Sequence, residues 1–141
     1  MEIKRDRYLQ RLISYMWNGQ VKVITGIRRC GKSYLLGTLF RNYLLSQGIK
    51  KEQILSFALD LAKDIKYRNP LELAKHVRDM VEEKDEQYYL FVDEIQLSDE
   101  VSNPYNSEGK KITFYDALND LRSLSNLDIY VTGSNSKMLS S

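Results

Sequence analysis

One cysteine, one histidine and two prolines occur in 141 residues, and each scarcity removes a class of explanation. A lone cysteine, Cys30, excludes an intramolecular disulfide framework. A lone histidine, His76, leaves no His/Cys ligand set of the zinc type, and its surroundings in sequence place it on a helix surface. No apolar run approaches the roughly 20 residues that span a bilayer. The opening Met-Glu-Ile-Lys-Arg-Asp-Arg leads into an amphipathic segment without the apolar stretch of a signal peptide, so a cytoplasmic location and no membrane partner are expected. Charge of one sign is lacking too. A net charge of +2 does not indicate a nucleic-acid partner, and the basic group Lys4, Arg5, Arg7 and Arg11 is accounted for as a solvated helix face.

What is present is a globular composition, 43% hydrophobic and 28% charged, in a length that suits one domain able to bury a core. Its centre is Gly26-Ile27-Arg28-Arg29-Cys30-Gly31-Lys32-Ser33, which fits the phosphate-binding pattern G-x-x-x-x-G-K-[ST]. The pattern carries weight only between a buried strand and a helix. Val21, Val23 and Ile24 supply the strand, and Leu35, Leu36, Leu39, Phe40, Tyr43 and Leu44 recur at helical spacing up to Gly48. Glycines let such a loop turn its N–H groups inward around anionic oxygens, and the helix start adds its positive end. Lys32 is then placed for the β- and γ-phosphates and Ser33 for a magnesium ion. The nucleotide contacts expected on this basis run from Gly26 through Tyr34. Cys30 sits inside the loop and is expected to have no catalytic role.

Several other stretches read clearly. An amphipathic helix starts from Asp6 as N-cap, carries Tyr8, Leu9, Leu12, Ile13, Met16 and Trp17, and stops at Asn18-Gly19. A strand over 54–59 closes on Asp60, a residue suited to the surroundings of a metal site or to a simple loop start. Asn69-Pro70, with Glu72 three residues after the cap, predicts a helix start with a capping box. Residues 98–111 lack periodicity and are expected to form a long loop, after which Thr113 and Asp116 open another helix.

Two strand ends carry the remaining chemistry. Tyr88-Tyr89-Leu90-Phe91-Val92 runs into Asp93-Glu94, an apolar strand ending in adjacent carboxylates. Asp93 is expected to hold the magnesium ion, and Glu94, turned aside by strand alternation, to orient or deprotonate the water attacking the γ-phosphate. Residues 128–132 form a further strand, followed by Gly133-Ser134-Asn135-Ser136. Asn135 is the candidate for sensing the γ-phosphate and that water, with Thr132 and Ser134 as alternates.

With these residues in place, the sequence resembles the prokaryotic AAA-type ATPases in which an N-terminal ATPase domain precedes a C-terminal domain of unknown function. The resemblance rests on the stretch from Thr25 to Ser33, on Phe91-Val92-Asp93-Glu94-Ile95-Gln96 and on Thr132 to Ser136. It implies an α/β three-layer P-loop sandwich with a parallel sheet in the order 5-1-4-3-2, the fifth strand missing from this chain. It also implies Walker A roles for Lys32 and Ser33, Walker B roles for Asp93 and Glu94, a sensor role for Asn135, and ATP and Mg2+ as ligands. Residues 1–141 are accordingly expected to be one truncated nucleotide-binding domain, weakly active because no arginine finger follows the sensor. Without the fifth strand, the first strand is expected at the sheet edge and open to self-association. Two alternatives stand beside this reading: a nucleotide-gated interaction module without significant turnover, and a small P-loop kinase, for which no arginine-rich lid is visible.

Overall fold

Five consecutive buried side chains, Tyr88 to Val92, require a strand covered on both faces. In the computed structural model, which describes residues 2–25, 29–105 and 108–134, this strand is β3 (Tyr88–Asp93). It lies between β2 (Ile54–Ala58) and β4 (Leu127–Thr132), and β4 in turn pairs with β1 (Lys22–Ile24). Every pairing is parallel and the order is β1-β4-β3-β2, as expected for these four strands.

Strand alternation sorts the core into two halves. Tyr88, Leu90 and Val92 face a layer made by α4 (Pro70–Val81) and α5 (Phe114–Arg122). Tyr89 and Phe91 face the opposite way, toward α1 (Glu2–Tyr15) and a long helical segment after β1. That segment is α2 (Arg29–Tyr34), a π-helical stretch Leu35–Phe40 and α3 (Arg41–Ser46). Phe40, fully buried, sits with its ring centroid 4.8 Å from that of Tyr130 and 5.7 Å from that of Phe91. Burying such a side chain stabilises the fold by about 1.5–3 kcal/mol. Helices therefore cover both faces of the sheet, the three-layer α/β arrangement that the sequence implies.

The helix ends show which local signals won. Asn69 caps α4, its side-chain oxygen accepting from Leu71 N at 2.9 Å and Glu72 N at 3.4 Å, with Pro70 at the first position. The expected return bond from Glu72 is replaced by an approach to Lys66 at 3.8 Å. Thr113 and Asp116 form the full reciprocal box at the start of α5. Gly48, at φ 92°, follows the end of α3 in a conformation that suits glycine. Asp6 is not a cap: α1 begins at Glu2 and includes it, because the helical pattern extends further back than the first apolar residue. His76 is half-buried rather than on the surface, with ring centroids 5.1 Å from Tyr67 and 5.8 Å from Phe57. Among the described residues after Leu97, an isolated antiparallel bridge pairs Val101 with Ile112.

At the amino ends of the strands lies a polar network that composition did not announce. The ammonium of Lys22 bonds the Asp128 carboxylate, both side chains being almost fully buried. Asp128 also accepts from Tyr130 Oη at 2.6 Å and from Trp17 N at 2.9 Å, while Trp17 Nε1 donates to Tyr89 Oη at 3.1 Å. Burial first, and the bond to Asp128 second, push the Tyr130 phenol far up. Trp17 has φ 57°, so the elbow between α1 and β1 is held in a left-handed turn by bonds to β4 and β3.

Candidate functional site

In a parallel sheet the carboxyl ends of all strands share one rim, and in open α/β folds that rim is where ligands sit. The register pairs Ile24 with Thr132 and Ala58 with Asp93, which gathers Asp60, Asp93, Glu94 and 132–134 next to the start of α2. Gly26, Ile27, Arg28 and Asn135 lie outside the described residues. Of Arg29 and Cys30 only the backbone is described, as the first turn of α2.

α2 brings two polar side chains to the strand ends. Lys32 is only 5% exposed, and its Nζ donates to the Gly133 carbonyl at 2.8 Å. Ser33 Oγ donates to Asp93 Oδ2 at 3.2 Å. The pattern's lysine and hydroxyl thus meet the acidic strand end and the β4 turn, 60 and 101 residues away in sequence. Tyr34 and Gly31 lie on the same short helix, with Tyr34 40% exposed.

Asp93 is fixed from the other side as well. Thr132 Oγ1 donates to Asp93 Oδ1 at 2.8 Å and accepts from Glu94 N at 3.0 Å, so one fully buried hydroxyl clips both acidic residues to β4. Desolvation raises the Asp93 carboxyl above its ordinary range. The bonds from Thr132 and Ser33 oppose that rise, and the charges of Glu94 and Asp60 add to it. Asp60, exposed at the end of β2, therefore acts on Asp93 through its field.

Glu94 departs from the geometry that strand alternation implies. β3 ends at Asp93, and Glu94 stands one residue beyond it at φ 59°, ψ 52°, left-handed and 4% exposed. Its side chain is aimed by this turn and by the short 3-10 turn Ile95–Leu97 that follows. Non-glycine residues in this region cost of order 1–3 kcal/mol and cluster at functional sites. Gln96 Nε2 donates to Glu94 Oε1 at 2.6 Å, and Gln96 Oε1 accepts from Ser134 N at 3.2 Å.

Thr132, an alternate for a phosphate-sensing residue, is fully engaged inside the clip, whereas Ser134 is exposed and contributes its backbone N–H to Gln96. Sequence reasoning missed Gln96 and the Gly133 carbonyl as parts of the cluster. The signal for Gln96 was its place in the Phe91–Gln96 stretch that carries the resemblance, two residues after Glu94; a backbone carbonyl gives none. A separate cavity of about 800 Å3 lies beside the cluster, between the 98–112 loop and the start of α5, with Gln96 in its wall.

A divalent cation with a preference for oxygen fits this donor set. A hydroxyl and a carboxylate converge, and the carboxylate is held in a desolvated place beside two other acids, a cost that a cation offsets. No group of three or more His, Cys, Asp or Glu suited to an all-protein metal cage occurs among the described residues. No helix among the described residues is long and apolar enough to cross a membrane.

Comparison with known proteins agrees with this geometry. An uncharacterized protein of Haemophilus influenzae (strain ATCC 51907 / DSM 11121 / KW20 / Rd) is 38% identical over 148 aligned residues. The alignment takes in 98% of this chain and 31% of the relative, so the chain spans about a third of that protein's length. Residues 18–141 match the model of the family described as AAA domain, a span that includes all four strands and every residue of the cluster. The chain therefore belongs to the AAA domain family and carries an AAA-type, ATPase-like P-loop domain.

Proposed function

We propose that this domain binds MgATP at the rim formed by the start of α2, the end of β3 and the turn after β4, and hydrolyses it slowly unless a partner completes the site. The observation that carries the reading is the convergence of Lys32 and Ser33 with Asp93 and Gly133. The segment from Gly26 to Ser33 cradles the phosphates, with Tyr34 at its end. Lys32 exchanges the Gly133 carbonyl for β- and γ-phosphate oxygens, a stronger partner for an ammonium. Ser33 and Asp93 hold Mg2+, which when bound neutralises charge on the phosphates. Glu94, buried and aimed by its left-handed backbone, orients the attacking water and takes its proton. Asn135 is assigned the γ-phosphate, since it directly follows the turn that Lys32 and Gln96 hold.

Turnover is expected to be slow unless a partner supplies an arginine. An arginine facing the transferring phosphoryl group is worth roughly 10³ to 10⁵ in rate. Arg78 bonds Asp120 and Glu82, and Arg122 bonds Gln20, away from the rim. Titration with a fluorescent ATP analogue in the presence of magnesium tests the reading. Lys32→Ala is expected to weaken binding at least tenfold, whereas Glu94→Gln keeps the affinity and loses hydrolysis. Unchanged affinity in Lys32→Ala would count decisively against this site.

A further inference from the structure

The Gln96 side chain makes two bonds that run in opposite directions. Its amide nitrogen donates to Glu94 Oε1 at 2.6 Å, and its amide oxygen accepts from Ser134 N at 3.2 Å. The reverse orientation would set amide oxygen against carboxylate oxygen and amide N–H against backbone N–H, so the network itself fixes which way the amide points. One planar group thus ties the buried carboxylate at the end of β3 to the turn at the end of β4. The neighbouring residue of that turn, Gly133, is the one whose carbonyl holds Lys32.

We infer that Gln96 is a positioning residue for Glu94, coupling the aim of that carboxylate to the turn at 133–134. The inference rests on the proposed role of Glu94 toward the attacking water. The carboxylate of a left-handed residue such as Glu94 has rotamers to choose from, and catalysis needs one of them held to within a fraction of an ångström. The 2.6 Å bond selects one. Because the amide's other end is anchored on Ser134, a shift of the 133–134 turn when Lys32 leaves Gly133 for phosphate is transmitted to Glu94. Gln96 does this without touching the nucleotide, so it affects the rate of reaction and not the affinity.

Two substitutions in the full chain separate this role from a merely structural one. Gln96→Glu keeps an acceptor for Ser134 N–H but sets a carboxylate against Glu94; Gln96→Ala removes both bonds. Both are expected to bind a fluorescent ADP analogue within about threefold of wild type and to lose tenfold or more in single-turnover MgATP hydrolysis. Amide exchange at Ser134, followed by NMR, is expected to accelerate in Gln96→Ala and to stay near the wild-type rate in Gln96→Glu. Wild-type hydrolysis in Gln96→Ala, or affinity falling in step with rate in both variants, would overturn the role of Gln96 while leaving the nucleotide site standing. A wild-type chain that fails to bind the nucleotide, or binds MgATP without cleaving it in a single turnover, would overturn the functional reading and this role with it.

Discussion

Replacing Thr132 with valine tests the clip at its centre. The substitution keeps the shape of a fully buried side chain and removes only its hydroxyl. Two bonds go with it. The bond to Asp93 has a carboxylate acceptor, worth about 1.5–3 kcal/mol when ionised, and the bond from Glu94 N leaves a buried donor unpaired at about 1–3 kcal/mol. Partial relaxation reduces the total, and about 3 kcal/mol is expected. At about 2.1 cal/mol/K per residue for the entropy of unfolding, that corresponds to a fall in Tm of about 10 °C. Thr132→Ser keeps the hydroxyl and loses one methyl, about 1 kcal/mol or roughly 3 °C. The penalty in the valine variant should also depend on pH. Burial holds the native Asp93 carboxyl above its ordinary value, and the Thr132 bond is one of two that favour its ionised form. Above the raised native value the charged acceptor is lost; below it the native carboxyl is neutral and only a neutral bond is missing, so the penalty shrinks. Thermal melts from pH 4 to 8 without nucleotide measure this. A valine variant as stable as the serine variant, or a penalty independent of pH, would refute the clip.

Two further outcomes are expected. Because the native Asp93 carboxyl is raised, the nucleotide-free protein loses stability from this group as pH climbs from about 3.8 through the native value. Asp93→Asn should then melt above wild type near pH 7, converge with it near pH 4, and no longer respond to magnesium with ATP; parallel melting curves across pH would exclude the effect. Among the described residues β1 is paired only on its β4 side, and Val23 is 38% exposed on that edge strand. Self-association through β1 is expected as growth in light scattering with concentration, and a monodisperse monomer with slow amide exchange over 21–25 would exclude it.

Most of the fold was legible because its signals are local or periodic. The run Tyr88 to Val92 announces a doubly covered strand, and Asn69-Pro70 and Thr113 with Asp116 announce helix starts. The pairing of Lys32 and Ser33 with Asp93 followed from the chemistry of phosphate sites rather than from any contact visible in one dimension. Other features depend on backbone conformation or on long-range contacts. Glu94 lies on neither face of β3 because the chain turns left-handed there, and no residue type marks that turn. Thr132 reaches Glu94, and Ser134 reaches Gln96, only through the β3–β4 register, whereas the Gly133 carbonyl meets Lys32 and Lys22 meets Asp128 only through β1–β4.

The order of the strands sets a schedule for making the protein. β2 and β3 pair residues 54 and 89, a short closure, whereas Lys22 of β1 waits for Tyr130 of β4. At about 5–20 residues per second of synthesis, that wait is on the order of 5–20 s. For all of it the first strand has no ladder to join, and Lys32 and Ser33 have no acidic strand end set in register beside them. The two halves of the rim are thus brought together by the last strand described, and ribosome-stalled chains are expected to leave amides 22–24 open to exchange until residues 127–132 have emerged.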